Sequence, residues 1–371
     1  MLERLDAVPW HDLRHAYGAA SDVPALIRAL LDHDKTVRDE AWNQLLGNIW
    51  HQGTLYQATS HAVPFFIELA SERHVPEREA VLGYLVTLME SACLHESGIN
   101  DEIASRHPSI GELVKHEKTW ARETKQAIQA GHAVYADALG AGEAKVRVAG
   151  SHLLSLLPQR AVQSGRVLQA HLEGDRETDD VAKFFCLFAL GNLGEHWRPA
   201  IRVLERCFAR ETPEIVRVGA AIGVARCLRE KTPSNVRDYL LRKAIDEGLE
   251  AKVLDSVTWD PGNNPLVEWC RDALEASRVI DAATATRIRS INTGITLTHN
   301  LLTVVRLCSD LFERQWEPSS RLTNEQRAVL ESVALSPDLW LEYKDDDNVQ
   351  MIFRIYGLPQ TRGDLVNFLL K

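Results

Sequence analysis

The chain has 371 residues, is 45% hydrophobic and 25% charged, and carries a formal net charge of −10. That balance is ordinary for a globular protein and argues against a broad, sequence-independent grip on nucleic acid, which needs clustered Lys and Arg against phosphates; it is compatible with a basic protein partner. No stretch has the apolar length to span a membrane, the opening "MLERLDAVPWHDLRHAYG" does not read as a signal peptide, and six scattered cysteines without a CxxC pair read as reduced, buried small hydrophobes in a cytoplasmic protein.

Along the chain, "HDLRH" is expected to place His11 and His15 at i, i+4 on one helix face. Two histidines so spaced can share a metal, but Asp12 stands where a zinc-protease pattern has glutamate and no third ligand follows, so the pair reads as structural or surface. Residues 22–47, "DVPALIRALLDHDKTVRDEAWNQLLG", read as a helical hairpin. Asp22 suits an N-cap, Pro24 a first turn, Ala25, Leu26, Ala29 and Leu30 one apolar face, and Val37, Ala41 and Leu45 a second at i, i+4, i+8.

The next stretch, "GNIWHQGTLYQATSHAVPFF" (47–66), interrupts the helical pattern. The helix is expected to run to about Trp50 and stop at Gly53; Thr59 or Ser60 would cap the following helix, with Pro64 in its opening turn. Punctuation leaves Trp50, His51, Gln52 and Tyr56 crowded at one connection. Packing between hairpins is one reading; a polar and aromatic contact patch is the other.

Residues 91–131 lose the phase and read as an insertion whose charged helix, 111–130, substitutes for one repeat helix. The pattern then resumes. Val146-Arg147 with Gly150 and Leu154, and Val216-Arg217 with Ala220 and Val224, match Val37-Arg38 with Ala41 and Leu45; Val181, Phe185 and Ala189 fall between, so that Val146, Val181 and Val216 recur every 35 residues. The small residue four after the valine would let two helices approach closely, and the arginine would pair with an acid of the preceding turn. In "RETDDVAK" (176–183), Asp179 or Asp180 suits an N-cap. First helices recur at 61–70, 131–139, 165–174, 197–208 and 235–245. "DSVTWDPGNNPLVEWC" (255–270) is the strongest break, after which helical patterns return at 264–277, 282–291, 298–313 and 322–335. No strand alternation lasts long enough to read as a sheet.

These repeats, with "VRVGAAIGVARCL" (216–228) and "FALGNLG" (188–194), resemble HEAT repeats, including the short variety of phycobilisome lyases. The resemblance implies an all-α, curved solenoid of stacked hairpins, with a repeat domain over 1–260 (the insertion near 91–131 included) and a helical continuation and irregular cap over 261–371. "DAVPWHDLRHAYGAASDVPALIRAL", "GNIWHQGTLYQATSHAVPFFIEL" and "RIYGLPQTRGDLVNFLL" are similar to a group of bacterial HEAT-repeat proteins without a defined activity, which supplies no catalytic residues to carry over.

One iron-dependent hydroxylase family builds its metal site from four His-Glu pairs on HEAT hairpins; here only His95-Glu96 and His116-Glu117 occur, and only the second resembles that register. No nucleophile elbow, P-loop or dinucleotide fingerprint occurs. HEAT-like DNA glycosylases use a basic groove with Trp and Asp, whereas this chain is acidic. The expectation is therefore a non-enzymatic protein-binding scaffold with no cofactor or metal, an immunity or adaptor protein that sequesters a basic partner such as a toxin domain. Its binding residues would be Trp50, His51, Gln52 and Tyr56, with Asp345, Asp346 and Asp347 as an acidic rim or a solvated loop. The alternatives are a nucleic-acid binder or glycosylase-like enzyme, and a metal-dependent enzyme.

Overall fold

Asp34 shows how this chain punctuates its helices. Its carboxylate accepts the Thr36 N–H (2.8 Å), capping the helix Lys35–Asn48, and Asp179 does the same for Val181 and Ala182 (3.0 and 2.9 Å) ahead of Asp180–Asn192. The computed structural model describes residues 1–91, 108–174, 177–210, 212–261, 265–277, 297–312, 321–340 and 348–371. Their regular structure is all-helical apart from two β-hairpins of two-residue strands, β1 (Arg14–His15) with β2 (Gly18–Ala19) and β3 (Trp50–His51) with β4 (Thr54–Leu55). Among the described residues no helix is long and apolar enough to cross a membrane.

The chain divides into two compact units, Met1–Trp197 with Ser256–Pro261, and Arg198–Asp255 with Gly262–Lys371. In the first, helices come in contacting pairs joined by short turns: α1 (Val23–Ala29) with α2 (Lys35–Asn48), α3 (Gln57–Ser71) with α4 (Arg78–Glu90), then, after the long α5 (Pro108–Gln129), α6 (His132–Ala138) with α7 (Ala144–Ser155) and α8 (Ala161–Glu173) with α9 (Asp180–Asn192). The second helices also pack on one another, α4 on α7 and α7 on α9, while α5 lies against α3 and α4. Burying Phe66, Phe184, Phe185 and Tyr135 completely contributes about 1.5–3 kcal/mol for each large apolar side chain. Gly150 permits a close approach of α6 and α7: a Cβ there would stand 2.7 Å from the Ala138 Cβ and 3.0 Å from the Tyr135 carbonyl oxygen.

The arginines after Val37 and Val146 make equivalent bonds, and not those expected. Arg38 Nη1 donates to the Asp32 and His33 carbonyls (2.9 and 3.1 Å), and Arg147 Nη1 to those of Ala141 and Gly142 (3.0 and 2.8 Å). Each therefore satisfies backbone carbonyls left over where the preceding helix ends, rather than that turn's acid. The acid comes from the turn of the following helix pair: Glu77 for Arg38 (Nε to Oε2, 3.0 Å) and Glu177 for Arg147 (2.8 Å).

The second unit holds α10 (Ala200–Ala209), α11 (Glu214–Leu228), α12 (Ser234–Lys243), α13 (Glu247–Ser256), α14 (Pro265–Ala276), α15 (Leu297–Leu311), α16 (Asn324–Ala334), α17 (Asn348–Ile355) and α18 (Arg362–Leu369). α11 packs against α10, α12 and α14, and α16 against α18. Here Arg217 departs from its counterparts: its guanidinium lies between the Phe208 and Tyr239 rings, 5.0 and 4.7 Å from their centroids. The helix expected at 282–291, and most of the polar start of the insertion, fall outside the described residues.

Candidate functional site

The stretch after α2 does not end a helix at Gly53. α2 stops at Asn48, and Trp50–His51 pairs with Thr54–Leu55 across the turn Gln52-Gly53. Both turn residues have positive φ (49° and 86°), the requirement of the tight type I′ turn whose twist matches a two-residue hairpin. Gly53 is left-handed, as a helix stop would require, but it serves a strand reversal. Thr59 then locks the next helix: its hydroxyl accepts the Tyr56 N–H (2.9 Å) and donates to the Ile49 carbonyl. α3 therefore starts at Gln57, which puts Pro64 in the helix interior instead of its opening turn.

A second hairpin stands beside the first. Ala16 and Tyr17 turn β1 into β2, Gly18 opens β2 at φ 129°, and Tyr17 stands in solvent, 70% exposed. His15 lies on a strand, not on a helix face with His11. Its Nδ1 accepts the Tyr17 N–H (3.0 Å), so Nε2 carries the proton and donates to Asp22 Oδ1 (3.0 Å). Asp22 Oδ2 accepts Asn48 Nδ2 (2.6 Å), and the Ala16 N–H donates to the Asn48 carbonyl (3.0 Å). Asp22 thus ties the two hairpins together and makes no side-chain cap for α1. His11 is exposed, 3.3 Å from Asp12, so the two histidines do not converge on one point. Among the described residues no three His, Cys, Asp or Glu side chains gather as metal ligands would.

Above this frame runs a ridge of rings. Tyr17 meets His51 edge to face at 5.7 Å; half-buried Tyr56 lies 6.4 Å from Trp120 of α5; and exposed His116 stacks on Trp120 at 5.6 Å and 19°. Partial burial, with the negative charges of Glu117 and of any ionised Tyr17, pushes the Tyr56 hydroxyl above its usual range, so it keeps its proton and donates as well as accepts. Trp50 faces elsewhere: its indole N–H donates to Ser91 Oγ (2.7 Å), which donates to the Thr87 carbonyl (2.6 Å) at the end of α4.

Of the four residues expected at this connection, His51 and Tyr56 lie on the ridge, Gln52 is exposed at the turn tip and Trp50 is an internal anchor. Tyr17 and Trp120 on the ridge are not among the residues expected individually, and His116 is expected only as a candidate ligand or as part of the 91–131 insertion. The one hint was Tyr17 followed by Gly18 in a polar-aromatic stretch resembling 50–56. Asp345, Asp346, Asp347 and His95 lie outside the described residues. The ridge offers flat apolar faces with N–H and O–H tips. No protein-family model, curated protein or solved structure matches the chain.

Proposed function

We propose that the chain is a non-enzymatic protein-binding scaffold, built of HEAT-like repeats in a solenoid, that grips its partner through the ridge Tyr17, His51, Tyr56, His116 and Trp120. The observation that carries this reading is a rigidly framed set of exposed and half-buried rings. Two hairpins locked by His15, Asp22 and Asn48 hold Tyr17 and His51 in place before any partner arrives. Tyrosine and tryptophan anchors that lose little entropy on contact are what interface hot spots are made of.

The repeat reading rests on the recurring Val-Arg register, the matching bonds of Arg38 and Arg147, and the stacked second helices. The net charge of −10 favours a partner with a basic surface, in keeping with an adaptor or immunity role. Cys186, Cys227, Cys270 and Cys308, all buried and outside any disulfide, suit the reducing cytoplasm.

Affinity capture from the native cell, with wild type and the Tyr17→Ala, Trp120→Ala double variant side by side, tests the reading. One protein recovered in stoichiometric amount by the wild type, and bound at least tenfold more weakly by the variant, is the expected outcome. Equal recovery by both would remove the ridge from the interface, and recovery of no stoichiometric protein would overturn the scaffold reading.

A further inference from the structure

The segment Ser256–Pro261 joins the first compact unit although the residues on both sides of it belong to the second. Thr258 and Trp259 seat it on the second helices α4, α7 and α9. The Thr258 hydroxyl donates to the Glu79 carbonyl (2.7 Å), and its main chain lies directly over Gly83: a Cβ there would come within 2.7 Å of the Thr258 carbonyl oxygen. Trp259, 7% exposed, enters a slot of rings. It stacks on His152 of α7 (5.0 Å, 16°) and meets the face or edge of Phe185 of α9 (5.9 Å, 76°).

This seat has the anatomy of a peptide complex more than of a core. A hydroxyl reaches a helix carbonyl across a bare glycine, and a single indole fills an aromatic slot. The fit also leaves polar atoms bare. His152 Nε2 is committed to Glu90 Oε1 (2.6 Å), while His152 Nδ1 and the Trp259 indole N–H are both buried without a hydrogen-bond partner. Such atoms weaken the seat relative to one in which every buried donor and acceptor is paired.

We propose that the face formed by Glu79, Gly83, His152 and Phe185 is a docking surface for a peptide with a hydroxyl residue followed by tryptophan, and that Thr258 and Trp259 are its resident occupants. A partner carrying such a segment displaces them. This is independent of the ridge and stands whether or not the ridge binds anything.

The test uses the full chain and a fluorescent peptide with the sequence of residues 254–261. Wild type, with its own segment seated, is expected to bind it weakly. Trp259→Ala, with the slot emptied, is expected to bind at least tenfold more tightly. Adding Gly83→Ala to that variant is expected to abolish binding, because the new methyl occupies the space of the peptide backbone while alanine remains a good helix former in α4. Equal, weak binding by wild type and a helical Trp259→Ala would overturn the proposal, as would tight binding by the double variant. Should Trp259→Ala lose its helical circular dichroism, hydrogen exchange of the wild type decides. Faster exchange at 256–261 on adding peptide, with α4, α7 and α9 unchanged, supports displacement; unchanged exchange there at saturating peptide overturns it.

Discussion

Arg147 and Glu177 form a buried two-pronged ion pair, with Nε and Nη2 donating to the two carboxylate oxygens at 2.8 and 2.9 Å. The carboxylate also accepts from His171 Nε2 (3.1 Å) and from the Asp179 N–H (2.9 Å), so each of its oxygens accepts two hydrogen bonds. Arg38 and Glu77 repeat the arrangement nearer the surface, where Glu77 retains 24% of its side-chain exposure against 1% for Glu177. Removing one member of a buried pair strands the other: Glu177→Ala is expected to cost about 3–5 kcal/mol. Glu77→Ala, with water at hand, is expected to cost about 1 kcal/mol or less. Urea denaturation of the two variants checks the ranking.

The same pair makes stability depend on acid. Burial alone would push the Glu177 carboxyl up, but hydrogen bonds from His171, Arg147 and the Asp179 N–H outweigh it and hold the group at about 2, below its ordinary 4.5. A value lower in the folded state than in the unfolded chain means the contribution is complete above the unfolded value and is lost as pH falls toward the folded one. The urea midpoint of the wild type is expected to drop between about pH 5 and pH 2, and that of Glu177→Gln to drop less over this window.

At the turn of the β3–β4 hairpin, Gln52 holds a left-handed backbone (φ 49°) that suits glycine better. Gln52→Gly is expected to stabilise by about 0.5–1 kcal/mol, and Gly53→Val, at φ 86°, to destabilise by at least about 1 kcal/mol. Thermal melts of the two variants should therefore shift in opposite directions.

Where α6 meets α7, Gly150→Ala sets two effects against each other. Alanine gains about 1 kcal/mol as a helix former, but its methyl would lie 2.7 Å from the Ala138 Cβ and 3.0 Å from the Tyr135 carbonyl oxygen. Neither neighbour is a flexible chain end, so overpacking at about 1–3 kcal/mol is expected to win. A lowered urea midpoint checks this; a raised one would mean the helices separate freely.

Burial pushes the thiols of Cys186 and Cys270 well up, and that of Cys308 up to about 12, from an ordinary 9.0. Cys207 is only half-buried. Among these four, iodoacetamide at pH 8 is expected to modify Cys207 first, with the other three reacting only after unfolding, as read by peptide mass mapping.

The helices were legible because apolar side chains at i, i+4 and i+8, as in Val216, Ala220 and Val224, already state which face is buried, and an N-cap such as Asp179 states where the backbone needs an acceptor; in the first such series Ala41 and Leu45 are buried but Val37, at the start of its helix, is exposed. The hairpins at 14–19 and 50–55 were not legible: a two-residue strand is too short to alternate, and Gln52 carries no mark of its positive φ. Nor was the ridge. His51 and Tyr56 were in view, but Trp120 reaches Tyr56 only because α5 packs on α3, and Tyr17 reaches His51 only because Asp22 and Asn48 join the hairpins.

Local periodicity and capping chemistry, which act within a few residues, are written in the chain itself, and they determined an all-helical protein of recurring Val-Arg helices. Which acid meets Arg147, which rings gather around Tyr17, and where Trp259 finds its slot are matters of contacts 30 to more than 100 residues apart. Only the packing of one helix pair on the next decided those, because a side chain's neighbour across a helix interface is set by the geometry of both elements and by no residue in either one alone.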